Sequence, residues 1–257
     1  MKVSAVQCRI GDFKSAERLA KIAVEKDAEI ILFPEYFSYD RFSLEITDIT
    51  LKFLKNFSKD YGVAVCGNVV IEDNGLKNRA YIFKNGELIG YQDKIHPTRI
   101  ERSYGISRGN KLEVFEVNNA KICILICADI LYPEICRIAG LKFVDIALNP
   151  VVSFKYSELP GKDYRYCLYF TRSFENCYAI VKASGIGTTF SGSEAVGRSL
   201  ISTFDGIIAK SEDENTEDVL VAEIDLDRIK KYREVNYTLY DRNLDAYCEL
   251  FLALNNR

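Results

Sequence analysis

The 257-residue sequence predicts an α/β fold, and three observations carry that expectation. Short apolar runs of strand length alternate with segments of helical period along the whole chain. Asn85-Gly86 and Asp205-Gly206 each stand between two strand-like runs, the signature of tight hairpins, so the sheets are expected to be mixed and not purely parallel. From Ile122 to Cys127 the chain is apolar with no polar alternation, as a strand covered on both faces would be, and Lys121 to Cys127 is therefore placed at the centre of the fold.

Lys2 to Cys8 reads as the first strand. Asp12 can cap a helix whose apolar positions Phe13, Ala16, Leu19, Ala20, Ala23 and Val24 recur at helical spacing, with Glu17 and Lys21 paired one turn apart. Ala28 to Phe33 and Val63 to Ile71 are strands, and Leu51, Leu54, Lys55 and Phe57 suggest a helix between them. The first hairpin pairs Tyr81 to Lys84 with Glu87 to Lys94, and the second pairs Leu200 to Phe204 with Ile207 to Lys210. Pro133 and Glu134 suit the first turn of a helix through Ile135, Ile138 and Leu141, which puts Cys127 at a strand end just before a helix. Val144 to Leu148 is a strand expected to end at Asn149-Pro150, and a helix follows from about Lys162 to Cys177. The charged stretch Ser211 to Asp218 reads as a solvated turn. With no linker rich in Pro, Gly or Ser and no repeat, residues 1–257 are expected to form one domain with helices packed outside buried sheets.

Composition removes several classes of function. Thirty-four basic against 37 acidic side chains, with no basic cluster, argue against a nucleic-acid partner. The longest apolar stretch, Ile122 to Ala128, is stopped by Asp129, far short of the roughly 20 residues that a membrane helix needs. The amino terminus reaches Arg9 and Asp12 without a signal-peptide core, so a cytoplasmic location is expected. The eight cysteines are scattered, mostly among apolar neighbours, and read as free thiols. With His96 the one histidine and no cysteine pair at the two-residue spacing of a zinc knuckle, no metal site is expected.

The lone His96, beside Pro97, is a poor foundation for a Ser-His or Cys-His pair. A carboxylate as base with a lysine as cationic partner is the alternative, and three strand ends offer the parts. Glu35 follows the apolar run Ile30 to Phe33 and Pro34; Lys94 closes the first hairpin; Cys127 ends the buried strand. Taken singly, each also fits a plainer description: a loop acid, a solvated lysine, a core thiol.

Taken together, their surroundings resemble the nitrilase superfamily, the carbon-nitrogen hydrolases with a Glu-Lys-Cys triad. Phe33-Pro34-Glu35 resembles the first motif of that family, Lys94-Ile95-His96 the second, and Cys127-Ala128-Asp129 through Tyr132-Pro133-Glu134 the third. Val3 to Gln7, Asn78-Arg79-Ala80, Asp145 to Pro150, Arg172 to Asn176 and Ala222 to Asp225 extend the likeness over nearly the whole chain. The resemblance implies a four-layer α-β-β-α sandwich with two mixed sheets. It implies Cys127 as nucleophile, Glu35 as general base and then acid, Lys94 and the backbone N–H of Ala128 as oxyanion donors, and no cofactor. Glu101 resembles the second glutamate that positions lysine and substrate in many members; Glu113 and Glu116, in a probable strand, fit that place less well. Tyr36, Tyr132 and Phe154 are candidates for the pocket wall. Ala128 and Leu131 depart from the pattern, since many amidases of the family carry an aromatic residue and an arginine there.

The implied reaction is hydrolysis of a small non-peptide amide through a thioester, with the expectation that the ammonium and carboxylate around the thiol ease its ionisation. Nitrile and N-carbamoyl hydrolysis use the same triad, transfer of the acyl group to another acceptor is a further variant, and a silent binding subunit is the non-enzymatic alternative. A homodimer or higher homo-oligomer is expected, with the tail, residues 232–257, at its interface.

Overall fold

The computed structural model describes residues 1–154 and 162–255. Its first half builds one sheet. Strand β1 (Lys2–Gln7) leads to α1 (Phe13–Glu25), whose first turn is closed by the Asp12 side chain accepting from the Ser15 N–H at 3.0 Å. Strand β2 (Ile30–Leu32), α2 (Glu45–Tyr61), β3 (Ala64–Glu72), β4 (Leu76–Lys84) and β5 (Glu87–Asp93) follow. Asn85 and Gly86 both take positive φ, as the tight β4–β5 turn requires. A short helix, α3 (Arg99–Ser103), comes next.

The second half begins with β6 (Phe115–Val117) and β7 (Ala120–Ile124), then a 3-10 turn over Cys127–Leu131 and α4 (Pro133–Leu141). After β8 (Ile146–Val151) and β9 (Ser153–Phe154) come α5 (Lys162–Asn176), β10 (Ala179–Ser184), β11 (Gly187–Thr188), β12 (Glu194–Val196), β13 (Leu200–Thr203), β14 (Gly206–Lys210) and β15 (Asp218–Glu223). Helices α6 (Leu226–Val235), α7 (Tyr237–Tyr240) and α8 (Leu244–Asn255) end the described chain.

Two six-stranded sheets result, in the orders β15-β1-β2-β3-β4-β5 and β14-β13-β10-β8-β7-β6, with parallel pairs at β1–β2, β2–β3, β7–β8 and β8–β10 and antiparallel pairs elsewhere. Side-chain alternation sorts the core into three layers. Val3, Ala5, Ile30 and Leu32 meet Ile122, Ile124, Ile146 and Leu148 between the sheets; Val6, Ile31, Phe33 and Val65 face α1 and α2; Cys123, Leu125 and Ile180 face α4 and α5. Helices therefore cover both outer faces, giving an α-β-β-α sandwich.

Two expectations are corrected. The apolar run at Lys121 is buried on both faces, but β7 lies one strand from the sheet edge, not at its centre: the facing sheet and the helices cover it from above and below whatever its lateral position. Strand β8 also runs through Asn149-Pro150 instead of ending there. The Leu148 carbonyl faces β7, where it accepts from the Leu125 N–H, so the nitrogen of Pro150 faces the same side, beyond the last residue of β7. No ladder donor is missed there. The charged turn 211–218 is held as well as solvated, since the Gln7 amide donates to the carbonyls of Asp213 and Thr216 at 2.8 Å.

Candidate active site

The strand tips converge. Glu35 emerges just past β2, Lys94 directly follows β5, and Cys127 stands beyond β7; Glu35 and Lys94 are 2% and 1% exposed. Lys94 Nζ donates to Glu35 Oε1 and to Glu101 Oε2, both at 2.7 Å. Glu101 is delivered by α3, where Thr98 and Glu101 form a capping box. The pattern Thr98-x-x-Glu101 could have signalled that helix in the sequence.

Residues outside the expected Glu-Lys-Cys set hold these carboxylates in place. Asn78 Nδ2 donates to Glu35 Oε1 at 2.9 Å and to Glu101 Oε1 at 2.8 Å, and its own Oδ1 accepts from Asn68 Nδ2 at 2.8 Å. The Val152 N–H donates to Glu35 Oε2 at 3.3 Å, and the Tyr36 hydroxyl to Glu101 Oε1 at 2.8 Å. Buried Asp129 binds the lysine segment to the cysteine segment, accepting from the backbone N–H groups of Ile95, His96 and Ile126. Asn149 Nδ2 donates to the carbonyls of Leu125 and, at 3.4 Å, Cys127.

The Cys127 thiol lies 3.8 Å from the Val152 carbonyl. Cys127 and Tyr36 take φ of +48° and +54°, a left-handed backbone that side-chain-bearing residues adopt at a cost of about 1 kcal/mol or more and that recurs at functional sites. The energetics of the cluster are one-sided. Burial pushes the Cys127 thiol up, with Glu35 adding to the rise and Lys94 opposing it, so the resting group is a thiol and not a thiolate. Lys94 thus favours ionisation as expected, whereas the carboxylate does not: two carboxylates face one ammonium, and ionising the sulfur would add a second net negative charge in a dry site. Burial likewise raises Glu35, against the pull of Lys94, while Glu101 adds to the rise. Burial alone would lower the Lys94 ammonium, but Glu35 and Glu101 hold it above its usual range. Glu101 is lowered because Lys94 and its hydrogen bonds outweigh burial.

These groups open into a cavity of about 440 Å³. Tyr36, Ala128 and Phe154 line it, as do Arg165, Leu168 and Phe190, which the sequence reading did not single out. Tyr132, expected in the wall, stands outside the lining, because its ring stacks on His96 at 3.6 Å between centroids. Among the described residues no group of three or more His, Cys, Asp or Glu side chains converges as a metal site would, and no helix is long and apolar enough to cross a membrane.

The profile of the carbon-nitrogen hydrolase family matches residues 2–234. A probable nitrilase of Schizosaccharomyces pombe is 34% identical over 66% of this chain, and a probable hydrolase of Bacillus subtilis 28% identical over 90%. The matches take in 61% and 50% of those two relatives, so the chain spans about half to three-fifths of their length. An omega-amidase of Xenopus laevis is 26% identical over 96% of both chains. Among solved structures, a carbon-nitrogen hydrolase of Helicobacter pylori superposes with a TM-score of 0.85 at 20% identity, covering 97% of each chain.

Proposed function

This chain belongs to the carbon-nitrogen hydrolase family, and from that premise we propose that it hydrolyses a small non-peptide amide through a thioester on Cys127. The single observation that carries the reading is a buried lysine clamped between two carboxylates in the wall of a cavity that the thiol also lines.

In the proposed cycle Cys127 Sγ attacks the amide carbon as its proton passes to Glu35. The raised carboxyl suits this task, being a stronger base than an ordinary glutamate and lining the same cavity as the thiol. Lys94 and the N–H of Ala128, in the first turn of the 3-10 segment, receive the oxyanion. Glu35 then passes the proton to the departing ammonia or amine, leaving the thioester. Water, deprotonated by Glu35, attacks the thioester; its proton returns to the thiolate, and the carboxylic acid departs. Glu101 touches no reacting atom in this scheme and acts by positioning Lys94. Tyr36 and Phe154 belong to the wall that receives the acyl group.

N-carbamoyl and nitrile substrates are the second reading, since the same three groups serve them and pocket shape selects among them. The proposal includes a cytoplasmic protein that forms a homodimer or higher homo-oligomer. Support for association comes from α8, where Leu244 and Leu252 are 68% and 62% exposed. A panel of simple amides, carbamoyl amino acids and nitriles, read by ammonia release with wild-type protein and Cys127→Ala, tests the reading. Release from an amide by wild type alone supports it, and equal release by both proteins rejects it.

A further inference from the structure

The two oxygens of Glu35 are held differently. Oε1 accepts from Lys94 Nζ at 2.7 Å and from Asn78 Nδ2 at 2.9 Å, whereas the donor at Oε2 is the Val152 N–H at 3.3 Å. The carbonyl of that same Val152 is where the Cys127 thiol rests. Val152 thus brackets the pair, with its N–H on Oε2 and its carbonyl on the sulfur, which makes Oε2 the oxygen on the side of the thiol. The charged and titratable groups that face this carboxyl are Lys94 after β5, Glu101 on α3 and Cys127 beyond β7, with the Tyr36 hydroxyl bonded to Glu101.

Behind Oε1 the direction of every hydrogen bond is set from one end. Asn78 presents its NH2 to two carboxylate oxygens, so its own Oδ1 points away and needs a donor. Asn68 Nδ2 supplies it at 2.8 Å, and Asn68 Oδ1 in turn accepts from the Tyr36 N–H at 2.8 Å. The β3–β4 ladder brings the two amides together: Asn68 pairs with Ala80, so Asn78 is its diagonal neighbour on the same face, and both asparagines are fully buried. A backbone N–H can only donate. It therefore fixes which way Asn68 points, and Asn68 fixes Asn78. The circuit closes on itself, because Tyr36 follows Glu35 in the chain and its hydroxyl donates to Glu101.

We propose that Asn68 is a positioning residue for the general base: acting through Asn78, it keeps Glu35 Oε1 an acceptor, so that the catalytic proton is taken up and given back at Oε2. In the acylation step the S–H bond of Cys127 breaks as the S–C bond to the acyl carbon forms, the proton goes to Oε2, and the carbonyl electron pair moves to the oxyanion. The same O–H then gives its proton to the departing nitrogen. This proposal rests on the amidase reading and deepens it by naming the oxygen that carries the proton and the remote amide that selects it.

The test reads the base apart from amide hydrolysis. The rate at which iodoacetamide alkylates Cys127 is followed against pH by peptide mass spectrometry, and burial pushes the thiol too high for its own ionisation to enter below about pH 10. Asn68→Leu has the same shape with neither donor nor acceptor. The loosened Asn78 then supports ionised Glu35 less well, and the acidic limb of the profile should move up by about half to one pH unit. Asn68→Asp has the same shape with a switchable donor. Protonated, it donates to Asn78 and accepts from Tyr36 as asparagine does. Ionised, it only accepts, so Asn78 turns its oxygen toward Glu35 and Glu101, and the rate should fall on the alkaline side below about pH 10, a limb absent from wild type. A far-ultraviolet circular dichroism spectrum establishes that each variant is folded, and Asn68→Asp carries the test if Asn68→Leu is not. An Asn68→Leu limb that coincides with wild type, or an Asn68→Asp profile with no alkaline limb, would overturn the proposal. Ammonia release from simple amides is measured on the same samples: the expected alkylation profiles without any release by wild type would sink the amidase reading and leave the positioning of Glu35 standing.

Discussion

Replacing Glu101 by glutamine is the perturbation whose cost can be worked most fully from the geometry. Four donors converge on the Glu101 carboxylate: Lys94 Nζ at 2.7 Å, and the Tyr36 hydroxyl, Asn78 Nδ2 and the Thr98 N–H, each at 2.8 Å. A carboxylate accepts all four, whereas an amide presents one oxygen and one donating NH2. Either orientation of the new side chain therefore sets a donor against two donors, and Lys94 loses one of its two counter-charges. Breaking one side of a buried ion pair costs about 3–5 kcal/mol. The melting midpoint should fall accordingly, while displacement of Lys94 by a fraction of an ångström to an ångström should lower kcat by about 10²-fold. The pH profile should move as well. Glu101 helps to raise Glu35, so neutralising it lets Glu35 ionise at lower pH, and the acidic limb of kcat/KM should shift toward acid. The stability loss has its own sign. Glu101 is lowered in the folded protein, so its contribution is present above the ordinary carboxylate range and fades as pH falls through the folded value; wild type and variant should converge in acid. Steady-state kinetics across pH, with thermal melts on the same samples, read all three effects. A Glu101→Gln protein with wild-type kcat and melting midpoint would refute the positioning role.

Wild-type kcat/KM should fall on acidification with a midpoint above the ordinary glutamate value of about 4.5, because the base is Glu35 and Glu35 is raised; a midpoint at or below 4.5 would contradict that. Lys94, held above its usual range, should cause no loss of activity on the alkaline side below about pH 10, as a kcat profile would register. Asn78→Asp replaces a donor to Glu35 with a third carboxylate, so its acidic limb should move up in pH, opposite to Glu101→Gln. Cys127→Ala should abolish turnover without altering the circular dichroism spectrum, and Cys127→Ser should be nearly inactive. Iodoacetamide should modify exposed Cys167 whether or not substrate is present, with substrate protecting Cys127; Cys8, Cys66, Cys123, Cys136 and Cys177 are buried and should react only on unfolding, which peptide mass mapping resolves.

The parts of the site that were legible in the sequence lie at strand ends. Glu35, Lys94 and Cys127 each close a recognisable apolar run or hairpin, and strand ends are where an α/β sandwich brings separate segments together. Asn78, Val152 and Arg165 escaped because they act across strands or from a helix face: no local pattern records that Asn78 reaches two carboxylates at once. The lateral position of β7 was illegible for a related reason, since two-sided burial leaves the same apolar run one strand from the edge as at the centre. Ionisation of the thiol depends on the sum of burial and three charges from distant segments, and the one-letter context Cys127-Ala128-Asp129 carries none of that sum.

Acid-quenched intact-protein and peptide mass spectrometry during turnover of a hydrolysed amide tests the covalent step most directly. The expected result is a mass increase equal to the acyl group on the peptide that contains Cys127, formed within a turnover and absent from Cys127→Ala. Full turnover with that peptide never modified, in wild type and variant alike, would contradict the account.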